Sequence, residues 1–154
     1  MTRDIKKIVH GLCFMSFTVN YNQPLTEAIK EGKYDEVNNN INSKNFPSTQ
    51  KGRQEVKLVL VHSNKPVSSE ETKLFGKQYG LRPANLFELL RLGAKYSGSQ
   101  RHIVVGLGSI WFDSGYEFVP ILCGSVDRRV LDLDCVMDDW NEDYRFVFVR
   151  EQSL

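Results

Sequence analysis

Two short stretches of this chain are apolar on both faces: 55–62, EVKLVLVH, and 144–150, YRFVFVR. Successive side chains of a β-strand point to opposite faces, so a strand with one wet face alternates apolar and polar residues. In the first stretch Val56, Leu58 and Leu60 point one way, while Val59 and Val61 point the other. Both stretches therefore read as interior strands, covered above and below. They bound one long segment, and the pattern predicts that they are neighbours in one sheet.

The segment between them supplies the rest of the main body. Residues 102–111, HIVVGLGSIW, are apolar and β-prone and read as a buried strand. Residues 112–116 form a turn. In 117–123, Val119, Ile121 and Cys123 alternate with Phe118, Pro120 and Leu122. Pro120 cannot donate to a ladder, which places that strand at an edge or a bulge. In 129–135, Leu131, Leu133 and Cys135 alternate with Val130, Asp132 and Asp134, a half-buried strand with carboxylates outward. Two helices precede these strands. Ser68 and Glu71 make a capping box for the first, which turns Leu74, Phe75 and Tyr79 to the core and stops at Gly80. Leu81-Arg82-Pro83 is an extended connector, since the residue before a proline avoids the helix. Asn85 and Glu88 then cap a second helix, with Leu86, Leu89, Leu90 and Gly93 at helical spacing.

The first 54 residues read as a small strand–helix extension. Residues 14–21 alternate as a strand, and Asn22-Gln23-Pro24 opens a short helix with Leu25, Ala28 and Ile29 on one face. Gly32 is placed to end it in a left-handed cap. Residues 34–41 suggest another helical turn, and 38–54 is a polar loop. The expected fold is α+β, with a mostly antiparallel sheet and two principal helices. The division is 1–54 as extension and 55–154 as main domain, with one domain overall an equal alternative.

Charge is unevenly placed. The net charge of the 154 residues is +1, which gives no global pull toward nucleic acid or membrane. From Trp111 onward there are 10 acidic and 4 basic residues, against 9 acidic and 16 basic before it. No stretch of about 18 uncharged apolar residues predicts a membrane span. Residues 1–17 do not read as a signal peptide, because His10 and Gly11 interrupt their short apolar part. The cysteines are Cys13, Cys123 and Cys135, an odd number without a C-x-x-C pair. They point to buried thiols in a reducing, cytoplasmic setting.

No stretch carries a specific catalytic signature. Gly106-Leu107-Gly108 lacks the third glycine of a dinucleotide fingerprint, Trp111 standing in its place, and no G-x-S-x-G elbow occurs. Only His10 and Cys13 have close zinc-ligand spacing. The best candidates lie between residues 125 and 143. Trp140 reads as an exposed binding aromatic, flanked by Asp138, Asp139, Asn141 and Asp143. Asp132 and Asp134 are weak candidates for a hard cation, so calcium is the one metal suggested and no cofactor is otherwise expected. Arg128 and Arg129 would contact an anion or pair with those aspartates. No basic–aromatic interleaving points to nucleic acid.

The runs GLRPANLFELLRLGAKY, VVGLGSIW, EFVPIL and W-x-x-x-YRFVFVR resemble small bacterial and phage proteins over 56–150. Their layout also resembles a C-type-lectin-like domain, in which a last strand returns beside the first. The resemblance implies such a fold, whose loops serve binding. The chain departs from sugar-binding lectins: it has no E-P-N or Q-P-D triplet and no disulfide pattern. Trp140-Asn141-Glu142-Asp143 has a Glu inserted into the W-N-D run, so sugar binding does not carry over. The expected function is a non-catalytic binding module presenting residues 125–143 to a protein partner. A small enzyme with a scattered site, or a phage-associated structural or accessory protein, are the alternatives.

Overall fold

The structure, a computed structural model, describes residues 14–96, 102–125, 127–136 and 139–151. In chain order its elements are β1 (Met15–Asn20), α1 (Leu25–Glu31), β2 (Glu36–Val37), β3 (Arg53–His62), α2 (Ser69–Gln78), β4 (Leu81–Pro83) and α3 (Leu86–Lys95). There follow β5 (Ile103–Val105), β6 (Trp111–Asp113), β7 (Tyr116–Ser125), β8 (Arg128–Cys135) and β9 (Tyr144–Arg150). The two doubly apolar stretches pair as their pattern requires. β3 and β9 run antiparallel, from Leu58 opposite Val149 to His62 opposite Arg145. On its other side β9 meets β5 and β4, which lie end to end: Phe146 faces Val105, and Phe148 faces Pro83.

One nine-stranded sheet results, in the order β1-β3-β9-β5-β7-β8-β2, with β4 beside β9 and β6 beside β7. The sheet is mixed, not mostly antiparallel. β5 runs parallel to β9 in its middle, and β2 runs parallel to β8 at its edge. Alternation in a sequence shows which residues share a face, but carries no strand direction. A parallel pair needs a long connection, and the whole β6–β8 region supplies it between β5 and β9. β1, from the first 54 residues, adds to the same sheet, its Phe17 opposite Val56.

Helices lie on both faces. On one, α1 and α3 cover Leu58, Val104, Leu122, Leu131 and Val147. Leu86, Leu89, Leu90 and Leu92 of α3 are almost fully buried there. On the other, Val59, Val105, Val119, Phe146 and Phe148 form a second core. α2 lies against this face through Ser69, Thr72 and Gly76, which it buries, while Leu74 is exposed. Of the expected apolar face of α2, Tyr79 packs on this core and Phe75 is half-buried, but Leu74 points away and small residues make the closest approach. The reason is the approach to Phe148: a Cβ on Gly76 would collide with its ring. Both capping boxes form as read.

Four local expectations change. Residues 102–111 are not one strand; β5 ends at Val105, and the chain turns before β6. The turn brings the Gly108 N–H to the Ala84 carbonyl at 2.8 Å, where a Cβ would meet the Pro83 and Ala84 carbonyls at 2.5 and 2.6 Å. Gly32 has an ordinary helical conformation, and Lys33 takes the left-handed one, with φ 52°. Residues 34–41 hold β2 rather than a helical turn, because the Asp35 and Asn38 N–H groups donate to the Arg129 and Leu131 carbonyls of β8. Pro120 sits in an interior strand. Its missing N–H costs nothing there, since its flank lies between the end of β5 and the start of β6, and its carbonyl accepts from the Gly106 N–H.

α3 also buries a charge. Glu88 is fully buried, and both carboxylate oxygens are satisfied. Arg82 donates to Oε1 and Oε2 at 2.9 and 2.7 Å, the Tyr21 hydroxyl donates to Oε2 at 2.5 Å, and the Asn85 N–H donates to Oε1 at 2.8 Å. Burial, then the hydrogen bond to Glu88, holds the Tyr21 phenol well above its ordinary range. Removing one partner of a buried ion pair strands the other. Glu88→Ala should therefore lose about 3–5 kcal/mol of stability in urea unfolding. A loss of about 1 kcal/mol, the scale of an exposed pair, would show that the pair does not anchor α3.

Candidate functional site

The 125–143 region is built on the β7–β8 ladder, which runs from Phe118 opposite Cys135 to Ser125 opposite Arg128. Val119 pairs with Asp134 and Ile121 with Asp132, so these carboxylates share the face of the second core. α2 lies over the β9 part of that face, through Gly76 on Phe148. Farther out, Asp132 and Asp134 are half-buried and hydrogen-bonded. Asp132 accepts from the Asn38 side-chain amide at 2.9 Å and from the Leu133 N–H at 2.7 Å. Asp134 accepts from the Tyr144 hydroxyl at 2.6 Å. The two acids thus have separate partners. Among the described residues no three His, Cys, Asp or Glu side chains stand close enough to hold a metal ion.

Trp140 is not the exposed aromatic its acidic neighbours suggest. Only 3% of it is exposed. Its indole N–H donates to Ser69 Oγ at 2.7 Å, and its backbone makes two hydrogen bonds with Val67, at 2.7 and 3.0 Å. Its ring meets Tyr144 at 4.8 Å between centroids and Phe146 at 6.0 Å. Trp140 is therefore the anchor that holds the 139–143 loop to the sheet and to α2. Asp139, Asn141 and Asp143 are left exposed around it, and the Asn141 side chain accepts from the Asp143 N–H at 2.8 Å. Asp138 lies outside the described residues, as do Cys13 and His10.

The two arginines stand apart from this loop. The ladder between Arg128 and Cys135 is about 23 Å long, taking roughly 3.3 Å per residue. Neither arginine pairs with Asp132 or Asp134. Arg128 pairs with Glu36 at 2.8 Å on the surface. Arg129 donates to the Gly32 carbonyl at 3.0 Å and the Gly93 carbonyl at 2.6 Å, and lies over the Tyr34 ring. It ties α1 and α3 to β8 and is structural.

The structure adds two aromatics that the sequence reading did not select as a pair. Ser114 and Gly115, with φ 52° and 85°, make the two-residue turn between β6 and β7. Phe112 and Tyr116 flank it, 68% and 47% exposed. The two-residue spacing between β-prone runs is the signal for the turn, and Tyr116 is one of the aromatics beside the turns that the sequence offers as partner anchors; Phe112 is not among them. β7 connects this tip to the end of β8: Phe112 pairs with Glu117, whose carbonyl accepts the Val136 N–H at 2.8 Å. Cys123 and Cys135 are not joined in a disulfide; they face Val130 and Phe118 across the ladder, not each other. Burial, then Asp132, Asp134 and Glu36, raises the Cys123 thiol pKa, which suppresses the reactive thiolate.

Two outcomes follow. Trp140→Ala should cost about 3–5 kcal/mol of stability in denaturant unfolding, as for a large core aromatic; an unchanged midpoint would return Trp140 to the surface. The Tyr144 phenol is pushed up to about 12 by burial, then by its hydrogen bond to Asp134, from an ordinary 10.0. Its folded-state value lies above the unfolded one. The stability it adds is thus complete below pH 10 and is lost as pH rises toward 12. Ultraviolet titration should show one late phenol fewer in Tyr144→Phe; an unchanged late phase would contradict this. No protein-family model, no curated protein and no solved structure matches this chain.

Proposed function

We propose that this protein is a non-catalytic binding module that holds a basic segment of a protein partner. The surface is the β6–β7 tip together with the 139–143 loop. One observation carries the reading: two large aromatics stand exposed at the hairpin tip, Phe112 on the face it shares with Glu117 and Tyr116 on the other face, beside Asp113. Asp113 at the tip and Asp139, Glu142 and Asp143 on the 139–143 loop present exposed carboxylates. Aromatics anchor interfaces, while a rim of one charge steers a partner of the other sign and selects against its own. The buried Trp140 supports this surface without touching the partner. Asp132 and Asp134 hold the acidic strand in place, and Arg128 and Arg129 belong to the far end of the ladder.

A lectin-like layout stays part of this proposal, and the return of β9 beside β3 is in keeping with it. The binding proposal rests on the surface and not on that likeness. Among the described residues no helix is long and apolar enough to cross a membrane.

The test is fluorescence anisotropy with labelled Lys/Arg-rich peptides and with acidic peptides of equal length. Basic peptides should bind, more weakly as salt rises. Phe112→Ala should cost about 2 kcal/mol of binding, the scale of an interface hot spot. Binding of both peptide classes alike, or binding that survives Phe112→Ala and the Asp139→Asn, Asp143→Asn double variant, would overturn the proposal.

A further inference from the structure

The opposite end of the sheet holds a cleft of different chemistry. It has a volume of about 410 Å³ and lies beside β1, the first strand in the sheet order, where α1 and α3 pack next to it. Its lining is polar: Thr18, Asn20, Gln23, Glu31, Arg53 and Arg91. We propose that this cleft binds a small phosphate-bearing anion.

Two guanidinium groups line the cleft. Arg53 stands opposite Asn20 at the start of β3, and its side chain makes no ion pair among the described residues. Arg91 comes from α3. Its Nη1 is 3.6 Å from Glu31, against 2.7 Å for the Arg82–Glu88 pair, and its Nε is buried without a partner. A buried donor without an acceptor is rare in folded proteins and calls for an explanation. A loosely held guanidinium beside an open polar cleft is one that can turn to a ligand.

The neighbouring groups favour the same ligand class. One oxygen of Glu31 already accepts from the Gln23 amide at 2.8 Å. Asn20 uses its side-chain oxygen for the Asn22 N–H at 3.1 Å, which leaves its amide N–H groups as donors. Thr18 adds a hydroxyl. Two arginines against one glutamate make the lining net positive, within a segment of 16 basic and 9 acidic residues up to residue 110. A planar carboxylate is satisfied by a single guanidinium fork. Two guanidiniums from different elements, with a hydroxyl and an amide from a third, approach from several directions and suit a tetrahedral phosphate.

The experiment is a series of thermal melts of the full chain in inorganic phosphate, in acetate and in chloride at equal ionic strength. The expected result is a saturable rise in Tm specific to phosphate, because a ligand that binds only the folded state raises its stability. Arg53→Ala and Arg91→Ala should each weaken phosphate binding about tenfold or more, the scale of one lost hydrogen bond to a charged group. Arg53 is exposed, so Arg53→Ala keeps its unliganded melt and separates loss of binding from loss of fold. A rise that survives both variants would be the general stabilisation by an excluded ion and would overturn the site. An equal rise in acetate would overturn the phosphate assignment.

Discussion

The fully buried carboxylate of Glu88 is the interaction on which the arrangement of this sheet and its helices depends. A charge without water must be met on every lone pair, and no single element can do that. Here Arg82 comes from β4, Asn85 from the cap of α3, and Tyr21 from the end of β1. β4 is hydrogen-bonded to β9, and β1 to β3. The network thus fixes α3 against both flanks of the β3–β9 pair at once. Arg129 does related work at the C-terminal side of the same helix, taking the Gly93 carbonyl together with that of Gly32.

A second anchor holds the far face. Trp140 bonds to Ser69 of α2 and to the Val67 backbone, and packs on Tyr144, which in turn bonds Asp134 of β8. This chain of contacts runs across the sheet from α2 to β8. It leaves the carboxylates of the 139–143 loop exposed on a backbone fixed from beneath. The shape of the β6–β7 tip is set in a different way, by a two-residue turn with both residues at positive φ that matches the twist of its strands. A binding surface gains from both, because groups already in place lose less entropy on association.

What the sequence revealed divides along the range of the interactions concerned. The capping boxes of Ser68–Glu71 and Asn85–Glu88 and the β3–β9 pairing were legible, because each rests on local chemistry or strand alternation. The parallel β5–β9 pair was not, since no residue pattern records strand direction. Trp140 was misread because its partners Ser69 and Val67 are some seventy residues away, while its immediate neighbours are acidic. Leu74 was misread for the converse reason: helical spacing placed it inward, but the close approach of Gly76 to Phe148 rotates the small residues of α2 to the sheet. Of the candidate site, the acidic character of 139–143 was legible, whereas its separation from Arg128 and Arg129 required the β7–β8 register.

The claim that most needs testing is that the hairpin tip and the acidic loop act as one surface. The direct measurement is two-dimensional amide NMR of the labelled protein during titration with an unlabelled Lys/Arg-rich peptide. The account predicts that shifts concentrate at Phe112, Tyr116, Glu117 and residues 139–143, with the buried Trp140 indole little changed. Shifts centred on Arg128 and the β2–β8 edge, or scattered without a focus, would contradict it.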